Sequence, residues 1–316
     1  MEAGLVDQEK VSRETPKSAT SAASTPLARE LESEKRRREK LKTKRMARPD
    51  HTRIITISNQ KGGVGKTTTT VNLATAMARA GMNVVVIDTD PQGNASTALN
   101  IPHQQGVPSI YNVLIEDYEL KDVLYENPDT DNLLVAPSTI DLAGAEIELV
   151  SLVAREQRLS RALQRYFEYR EESGLERIDY IFIDCPPSLG LLTVNAFVAA
   201  NEVLIPIQTE YYALEGLSQL VKNIQMIQEH LNPELHVSTI VLTMFDSRTN
   251  LAVQVAEEVR EYFPGQVLKT VIPRNVRISE APSYQQSVLT YDPSSTGALS
   301  YREAAMEIAD RGVKAS

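Results

Sequence analysis

One glycine-rich stretch constrains the fold of this 316-residue chain more than any other. An apolar run at residues 54–57 precedes it, and an alanine-rich pattern of helical character follows at residues 69–80. Glycines let successive backbone N–H groups point at one anion, and the N-terminus of the following helix favours the same anion. The order of strand, glycine turn and helix therefore predicts a phosphate-binding loop. The stretch reads Lys61, Gly62, Gly63, Val64, Gly65, Lys66, Thr67, Thr68.

The two lysines of this loop have different expected roles. Lys66 is placed to reach the β- and γ-phosphates of a nucleotide, and the Thr67 hydroxyl is placed to bind Mg²⁺. The general pattern has a glycine five residues before Gly65, where this chain has Gln60, and it adds Lys61 as a second cation. A second cation suits charge that develops on the γ-phosphate, and a second subunit can supply it. The simpler interpretation is that Lys61 is a solvated loop residue.

Three aspartates follow apolar strand patterns. Asp88 and Asp90 come after residues 84–87, and Asp184 comes after residues 180–183. Nucleotide sites of open α/β sheets lie at the carboxyl ends of strands, where a carboxylate can hold Mg²⁺ or its water shell. Each aspartate alone would suit a helix N-cap or a turn. Together with the glycine loop they favour a nucleotide site.

Four motifs resemble the ParA (Soj) branch of the ParA/MinD superfamily, P-loop ATPases that partition bacterial chromosomes and plasmids. Residues 61–68 resemble the deviant Walker A motif of that superfamily. Residues 88–94, 183–188 and 271–277 narrow the resemblance to the ParA branch. The likeness covers about residues 53 to 310 and leaves out the first fifty.

The resemblance implies an enzyme that binds ATP and Mg²⁺ and hydrolyses ATP slowly without a partner protein. It assigns catalysis to Lys61, Lys66 and Asp90, of which Asp90 orients or activates the attacking water. It assigns the metal to Thr67, Asp88 and Asp184. The implied ATP-binding residues are Lys61, Gly62, Gly63, Val64, Gly65, Lys66, Thr67, Thr68 and, at the adenine, Pro273, Arg274 and Asn275. The implied DNA-binding residues are Arg248, Arg274 and Arg277.

The choice of adenine has some support in the sequence itself. Guanine sites commonly carry an Asn/Thr-Lys-x-Asp element after a late strand. The corresponding place reads Thr243, Met244, Phe245 and Asp246, without the lysine. This absence favours adenine.

The resemblance also implies partners: a homodimer when ATP is bound, non-specific double-stranded DNA and a ParB-type centromere-binding protein, but no membrane. The expected location is the cytoplasm, at the nucleoid. The main alternative is a MinD-like membrane-associated positioning ATPase, which needs a C-terminal amphipathic helix with a basic polar face. Residues 301–311 are mixed in charge and weakly apolar. A biosynthetic ligase with the same loop and a non-catalytic DNA scaffold remain open.

Charge is distributed unevenly along the chain. Residues 1–53 hold 14 Lys/Arg and 9 Asp/Glu, a net charge of +5, whereas the whole chain has −9. The remainder therefore carries −14, and an acidic domain binds DNA poorly unless its cations cluster. The single cysteine, Cys185, excludes a disulfide framework, indicates a reducing compartment and is too few for an iron–sulfur cluster of the nitrogenase iron-protein type.

The pattern along the chain predicts an α/β fold with a doubly wound, mostly parallel sheet, the P-loop NTPase fold. One ATPase domain is expected over residues 53–316, after a charged, low-complexity tail at residues 1–52 that is disordered or partly helical. Leucine, isoleucine and valine recur at helical spacing over residues 214–231, which predicts a core-facing helix. The predicted strands are residues 54–57, 84–87, 133–135, 180–183, 203–207, 238–243 and 267–270.

Overall fold

The computed structural model describes residues 26–312, and contacts divide the chain into two compact units between Lys40 and Leu41. The first unit contains most of helix α1 (Pro26–Thr43). Its charges pair one turn apart, with the Arg36 guanidinium 2.7 Å from the Glu32 carboxylate, which supports a helix. The helical part of the predicted tail is therefore present. The disorder expected for the first residues lies outside the described ones, and the domain boundary at residue 52 stays a prediction.

The second unit contains a seven-stranded sheet with the strand order β3-β4-β2-β5-β1-β6-β7. All neighbours run parallel except the short edge strand β3, which pairs antiparallel with β4. Purely apolar strand patterns fit this arrangement because parallel strands are covered on both faces. The strands are β1 (Arg53–Ile57), β2 (Val84–Asp88), β3 (Tyr125–Glu126), β4 (Leu133–Ala136), β5 (Tyr180–Asp184), β6 (Glu202–Gln208) and β7 (His236–Thr243).

Helices cover both faces of the sheet. Their bounds are α2 (Lys66–Ala78), α3 (Asn94–Ala98), α4 (Ile110–Ile115), α5 (Leu142–Val150), α6 (Arg158–Glu172), α7 (Leu191–Ala199), α8 (Ala213–His230), α9 (Asn250–Tyr262), α10 (Val276–Glu280), α11 (Val288–Tyr291) and α12 (Thr296–Arg311). Short 3₁₀ turns lie at Leu120–Val123, Arg155–Gln157 and Ala281–Tyr284. The predicted helix at residues 214–231 is α8, which buries Leu217, Leu220 and Ile224.

Alternate residues of β1, β2, β4, β5, β6 and β7 enter two separate apolar cores. Val85 and Ile87 of β2 pack in one core, and Val84 and Val86 pack in the other. This division follows from the two-residue period of a strand, which sends successive side chains to opposite faces. The doubly wound α/β fold predicted from the sequence is confirmed. Among the described residues, no helix combines the length and apolar character needed to cross a bilayer.

Two details of the sheet differ from the prediction. The antiparallel strand β3 has only two residues, which is too short for a period-two pattern to reveal. The predicted strand at residues 267–270 is wrong, because only Val267 bridges to the sheet, through Ile240. The backbone N–H groups of Lys269 and Thr270 instead donate to the Glu307 carboxylate, at 2.8 and 3.1 Å. A side chain of α12 thus replaces the neighbouring strand as their hydrogen-bond acceptor.

Candidate nucleotide-binding site

The glycine-rich loop lies between the end of β1 and the start of α2. Gly63 and Gly65 have φ angles of 74° and 89°, a left-handed conformation that glycine adopts without strain. The neighbouring strands hold the loop in place. The Asn59 amide donates to the Pro206 carbonyl in β6 at 2.8 Å, and the Thr243 hydroxyl at the end of β7 donates to the Val64 carbonyl at 2.8 Å.

A cavity of about 510 Å³ opens beside this loop. Its lining includes the loop glycines and the start of α2, together with Asp90 and Pro187 from the loops after β2 and β5. Four residues near α10 and the following turn, Ile278, Ala281, Pro282 and Gln286, close another side. The volume is in the range of roughly 300–1,000 Å³ typical of small-ligand sites. A nucleotide therefore fits at the edge of the sheet where the sequence predicted it.

The first residues of α2 contact Asp184 directly. The Thr67 hydroxyl donates to one carboxylate oxygen of Asp184 at 2.7 Å, and the Thr70 hydroxyl donates to the other at 2.9 Å. The P-loop motif predicts a role for Thr67 but not for Thr70. The one feature of the sequence that could have indicated Thr70 is its spacing of three residues from Thr67, since residues three apart share a face of a helix.

Asp88 lies on the neighbouring strand, and its register partner in β5 is Asp184. One oxygen of Asp88 accepts from the Ser96 backbone N–H at 2.9 Å and from the Ser96 hydroxyl at 2.7 Å. Its other oxygen accepts from the Asp90 N–H at 3.1 Å. No sequence motif pointed to Ser96. Its contact with Asp88 forms only because the loop after β2 brings the start of α3 back to the end of that strand.

Burial decides the electrostatics of this site. Burial raises the pKa of the Asp184 carboxyl, and the charge of nearby Asp88 raises it further. Burial also raises the pKa of Asp88 and lowers the pKa of the Lys66 ammonium. The pKa of the Cys185 thiol is raised mainly by burial, so this cysteine stays protonated and is a poor nucleophile. Two buried carboxylates that resist ionisation are stabilised when a cation binds beside them.

Lys61 has a different environment from Lys66. Lys66 is buried and its ammonium lies 3.5 Å from the Lys61 carbonyl oxygen. The Lys61 side chain is exposed and forms an ion pair with Glu210, in the loop after β6. Lys61 does not line the cavity. The two lysines of the loop therefore lie in different surroundings, and their separate roles stay a prediction. The partner Glu210 was not foreseen.

The residues predicted to contact adenine do not line the cavity. Pro273 instead bridges to Phe245 beyond the end of β7. The Asn275 side chain caps α10, accepting from the Arg277 N–H at 2.9 Å, and donates to the Thr296 hydroxyl at 2.8 Å. Arg274 is exposed. The adenine role of Pro273, Arg274 and Asn275 stays a prediction, whereas α10 and its following turn reach the cavity directly.

The predicted DNA-binding arginines are exposed, but two of them carry carboxylate partners. The Arg248 guanidinium donates to both oxygens of Asp246, at 2.8 and 2.7 Å. The Arg277 guanidinium lies 2.9 Å from the Glu280 carboxylate and 3.5 Å from Asp292. These pairs reduce the positive charge of the predicted patch. Its DNA role stays a prediction.

A glycine loop after the first strand, a lysine and threonine that open the next helix, and aspartates at two adjacent strand ends define a P-loop nucleotide-binding protein. A family profile described as an AAA domain matches residues 52–237. The chain is 52% identical over 260 residues to the sporulation initiation inhibitor protein Soj of Bacillus subtilis, which covers 82% of this chain and 99% of Soj. The chromosome partitioning protein ParA of Myxococcus xanthus is 50% identical over 260 residues, which covers 82% of this chain and 88% of that protein.

The protein belongs to the Soj/ParA family of P-loop partitioning ATPases. A crystal structure of cobyrinic acid a,c-diamide synthase from Mycobacterium smegmatis with bound ADP and magnesium also resembles it. The two share 35% sequence identity and a TM-score of 0.66, over 80% of this chain and 92% of that one. The fold and the resemblance read from the sequence are thus confirmed.

Proposed function

We propose that the protein is an ATP-dependent switch in chromosome or plasmid partitioning, which pairs two copies of the chain and binds DNA non-specifically while ATP is bound. Hydrolysis then separates the copies and releases the DNA, and a ParB-type partner accelerates this step. One observation carries the proposal: the P-loop contains a second lysine, Lys61, whose exposed side chain lies outside the cavity of its own chain.

The residues around the cavity fit ATP and Mg²⁺. Mg²⁺ prefers oxygen ligands and is commonly held by one or two carboxylates together with substrate phosphates. Thr67, Asp88 and Asp184 supply such oxygens at one end of the sheet. Residues 26–312 contain no cluster of three or more His, Cys, Asp or Glu that would form an all-protein metal cage. Bound Mg²⁺ would neutralise phosphate charge.

Lys66, Asp90 and Lys61 have different roles at the nucleotide. Buried Lys66 balances phosphate charge within its own chain. Asp90 lines the cavity and accepts the Gln92 N–H at 3.0 Å, which fixes its carboxylate as a group that orients water. Lys61 would cross to the phosphates of a second copy and complete the charge stabilisation there. Turnover would be slow in the absence of the ParB-type partner.

Pairing would also create the DNA surface. A single acidic domain with Arg248, Arg274 and Arg277 offers few phosphate contacts, and two of these arginines are paired with carboxylates. Joining two copies doubles the contacts, and non-specific affinity rises steeply with the number of phosphates neutralised. Nucleotide occupancy and DNA binding thereby become linked. This link agrees with a location at the nucleoid.

The membrane alternative has less support in the structure. A MinD-like anchor needs a C-terminal helix whose apolar face is free to enter the bilayer. In α12 the apolar side is occupied, because Leu299, Tyr301, Ala304 and Ile308 are buried in the domain. The ligase alternative agrees with the 35% identity to the synthase, but the 52% identity to Soj favours partitioning.

DNA retention measured with ADP, ATP and a non-hydrolysable ATP analogue, at two salt concentrations, tests the proposal. We expect retention with ATP and the analogue only, weaker at higher salt, with dimers in sedimentation under the same conditions. Arg277→Ala should keep the dimer and weaken binding to every DNA sequence equally. A protein that stays monomeric with the analogue at high concentration, or that binds DNA equally with ADP, would contradict the proposed switch.

A further inference from the structure

A second cavity, of about 600 Å³, lies away from the P-loop, within the unit that begins at Leu41. The end of α2 forms part of its wall, through Ala76 and the two residues after the helix, Arg79 and Ala80. The P-loop is at the start of the same helix, ten residues earlier at Lys66. The nucleotide cavity extends along α2 to Asn72, four residues or roughly 6 Å before Ala76, but the two cavities share no lining residue. The cavity is therefore distinct from the nucleotide site described above.

The rim of this cavity is cationic. Lys44, Arg45, Arg79 and Arg302 line it, and none of its lining residues within the described chain is acidic. Lys44 forms an ion pair with Asp310 outside the lining set. The side chains of Arg45 and Arg302 have no hydrogen-bond or ion-pair partner among residues 26–312. Four cations at one cavity are unusual for a region whose net charge is strongly negative, and they indicate an anionic ligand.

Helix capping does not account for these cations. Positive side chains are favoured near a helix C-terminus because the last carbonyls lack partners. At the end of α2, however, backbone N–H groups of the following turn already donate to the carbonyls of Thr75, Met77 and Ala78. Arg48, which is not part of the cavity, donates to the Gly81 carbonyl at 2.8 Å. The arginines at the rim are thus available to a ligand.

The floor of the cavity is apolar. It includes Met46, Leu289, Ala298 and Met306. Methionine side chains adapt to flat or irregular apolar groups, and arginine both stacks on aromatic rings and binds phosphates with a two-pronged geometry. The Arg79 guanidinium is fixed by one donation to the Leu289 carbonyl at 2.7 Å, which leaves its other N–H groups for a ligand.

We propose that this cavity binds a nucleoside polyphosphate as a second, non-catalytic site, with the base on the apolar floor and the phosphates between Arg45, Arg79 and Arg302. The volume is within the roughly 300–1,000 Å³ typical of small-ligand pockets. Neither part of the ligand is sufficient alone. An inorganic anion would make no contact with the apolar residues. A neutral nucleoside would leave the cations without an anionic partner.

Equilibrium dialysis with ATP on the Lys66→Ala full-length protein tests the proposal, because this variant removes binding at the P-loop. We expect one ATP to remain bound per chain, and both adenosine and tripolyphosphate to bind at least about tenfold more weakly, a difference of one order in Kd. Adding Arg45→Glu and Arg302→Glu to the Lys66→Ala protein should abolish the remaining ATP. The milder pair Arg45→Gln and Arg302→Gln should weaken it, which keeps the test valid if charge reversal disturbs folding.

The matched control combines Arg161→Glu and Lys222→Glu, two exposed cations outside the cavity lining, and should leave the remaining ATP bound. The proposal is overturned if the Lys66→Ala protein binds no ATP, or if the cavity variants bind it as well as the control does. It is also overturned if tripolyphosphate binds as tightly as ATP, or if only a short DNA duplex binds at this face.

Discussion

Lys61 and Glu210 form an ion pair within one chain, between the loops that follow β1 and β6. Both side chains are about half exposed, at 46% and 45%. Exposed pairs of this kind contribute only about 0.2–1 kcal/mol. The pair therefore favours the position of Lys61 on its own chain by about fivefold at most. It is weak enough to yield to the phosphates of a nucleotide on a second copy.

The substitution Glu210→Gln should make ATP-dependent self-association easier, because Lys61 loses its carboxylate partner in the same chain. Because one such pair opens in each of the two chains, the midpoint protein concentration for dimer formation with a non-hydrolysable ATP analogue should fall by up to about thirtyfold, corresponding to about 2 kcal/mol per dimer. Sedimentation over a concentration series measures this midpoint. Glu215→Gln, a nearby exposed acid in the first turn of α8, is the control and should not change it. An unchanged or higher midpoint for Glu210→Gln would show that the pair does not restrain Lys61.

Sequence patterns predicted the residues of the P-loop and the strand ends but not the contacts between them, for a physical reason. The P-loop and the aspartates at strand ends are local patterns, since a strand, a turn and a helix start lie within about fifteen residues. The pairing of Lys61 with Glu210 joins residues 149 positions apart, and no local pattern encodes it. Ser96 lies only eight residues from Asp88, but no motif marked it, because its contact depends on how the turn between β2 and α3 folds. The erroneous strand at residues 267–270 has the composition of a strand, but tertiary contact with Glu307 decides its conformation.

Asp90→Ala should separate nucleotide binding from hydrolysis. Asp90 lies at the cavity, and among the described residues its side chain accepts a hydrogen bond from the Gln92 backbone N–H alone, so its loss leaves the P-loop and the Asp184 contacts in place. We expect ATP affinity within about threefold of the original protein and a loss of hydrolysis of about 10²-fold or more, the range for a positioned general base. Fluorescent-nucleotide binding and phosphate release measure the two quantities. Hydrolysis that persists in Asp90→Ala would remove this residue from the mechanism.

Asp246→Asn should strengthen DNA binding. The Asp246 carboxylate accepts two hydrogen bonds from the Arg248 guanidinium and one from the Arg248 backbone N–H, and these bonds lower the pKa of Asp246 to about 2. The carboxylate therefore stays ionised across the usual working pH, and mild acidification does not release the arginine. Removal of the charge frees Arg248 for a phosphate, so the slope of log affinity against log salt should steepen by about 0.9 per added contact.

Glu258→Gln provides the control for this DNA measurement. Glu258 is an exposed acid on α9 and its substitution removes the same charge without freeing Arg248. Fluorescence anisotropy of a DNA duplex over a salt series, with the ATP analogue present, compares the two variants. Equal effects from Asp246→Asn and Glu258→Gln would mean that only net charge matters and that Arg248 makes no specific phosphate contact.

Ser96→Ala should destabilise the fold through Asp88. The Ser96 hydroxyl donates to the buried Asp88 carboxylate at 2.7 Å and accepts from the Ser138 N–H at 3.1 Å. Loss of a partner to a buried polar group costs about 1–3 kcal/mol. Urea unfolding measures the change, with Ser218→Ala on the exposed face of α8 as the control, expected to stay within about 0.5 kcal/mol. Equal stability of the two variants would show that water replaces the Ser96 hydroxyl.

The buried pair Arg53–Glu202 should behave differently when one or both partners are changed. The Arg53 guanidinium donates to both oxygens of Glu202, at 2.6 and 2.7 Å, and to the Ile308 carbonyl in α12 at 2.7 Å. Arg53→Met leaves the Glu202 carboxylate buried without a cation, which costs about 3–5 kcal/mol. In the double variant Arg53→Met/Glu202→Met, both charges are gone, and we expect part of the lost stability to return. Urea unfolding of the two single variants and of the double variant gives the coupling free energy between Arg53 and Glu202. If the double variant is no more stable than Arg53→Met, the cost lies in the contact with α12 and not in the unpaired charge.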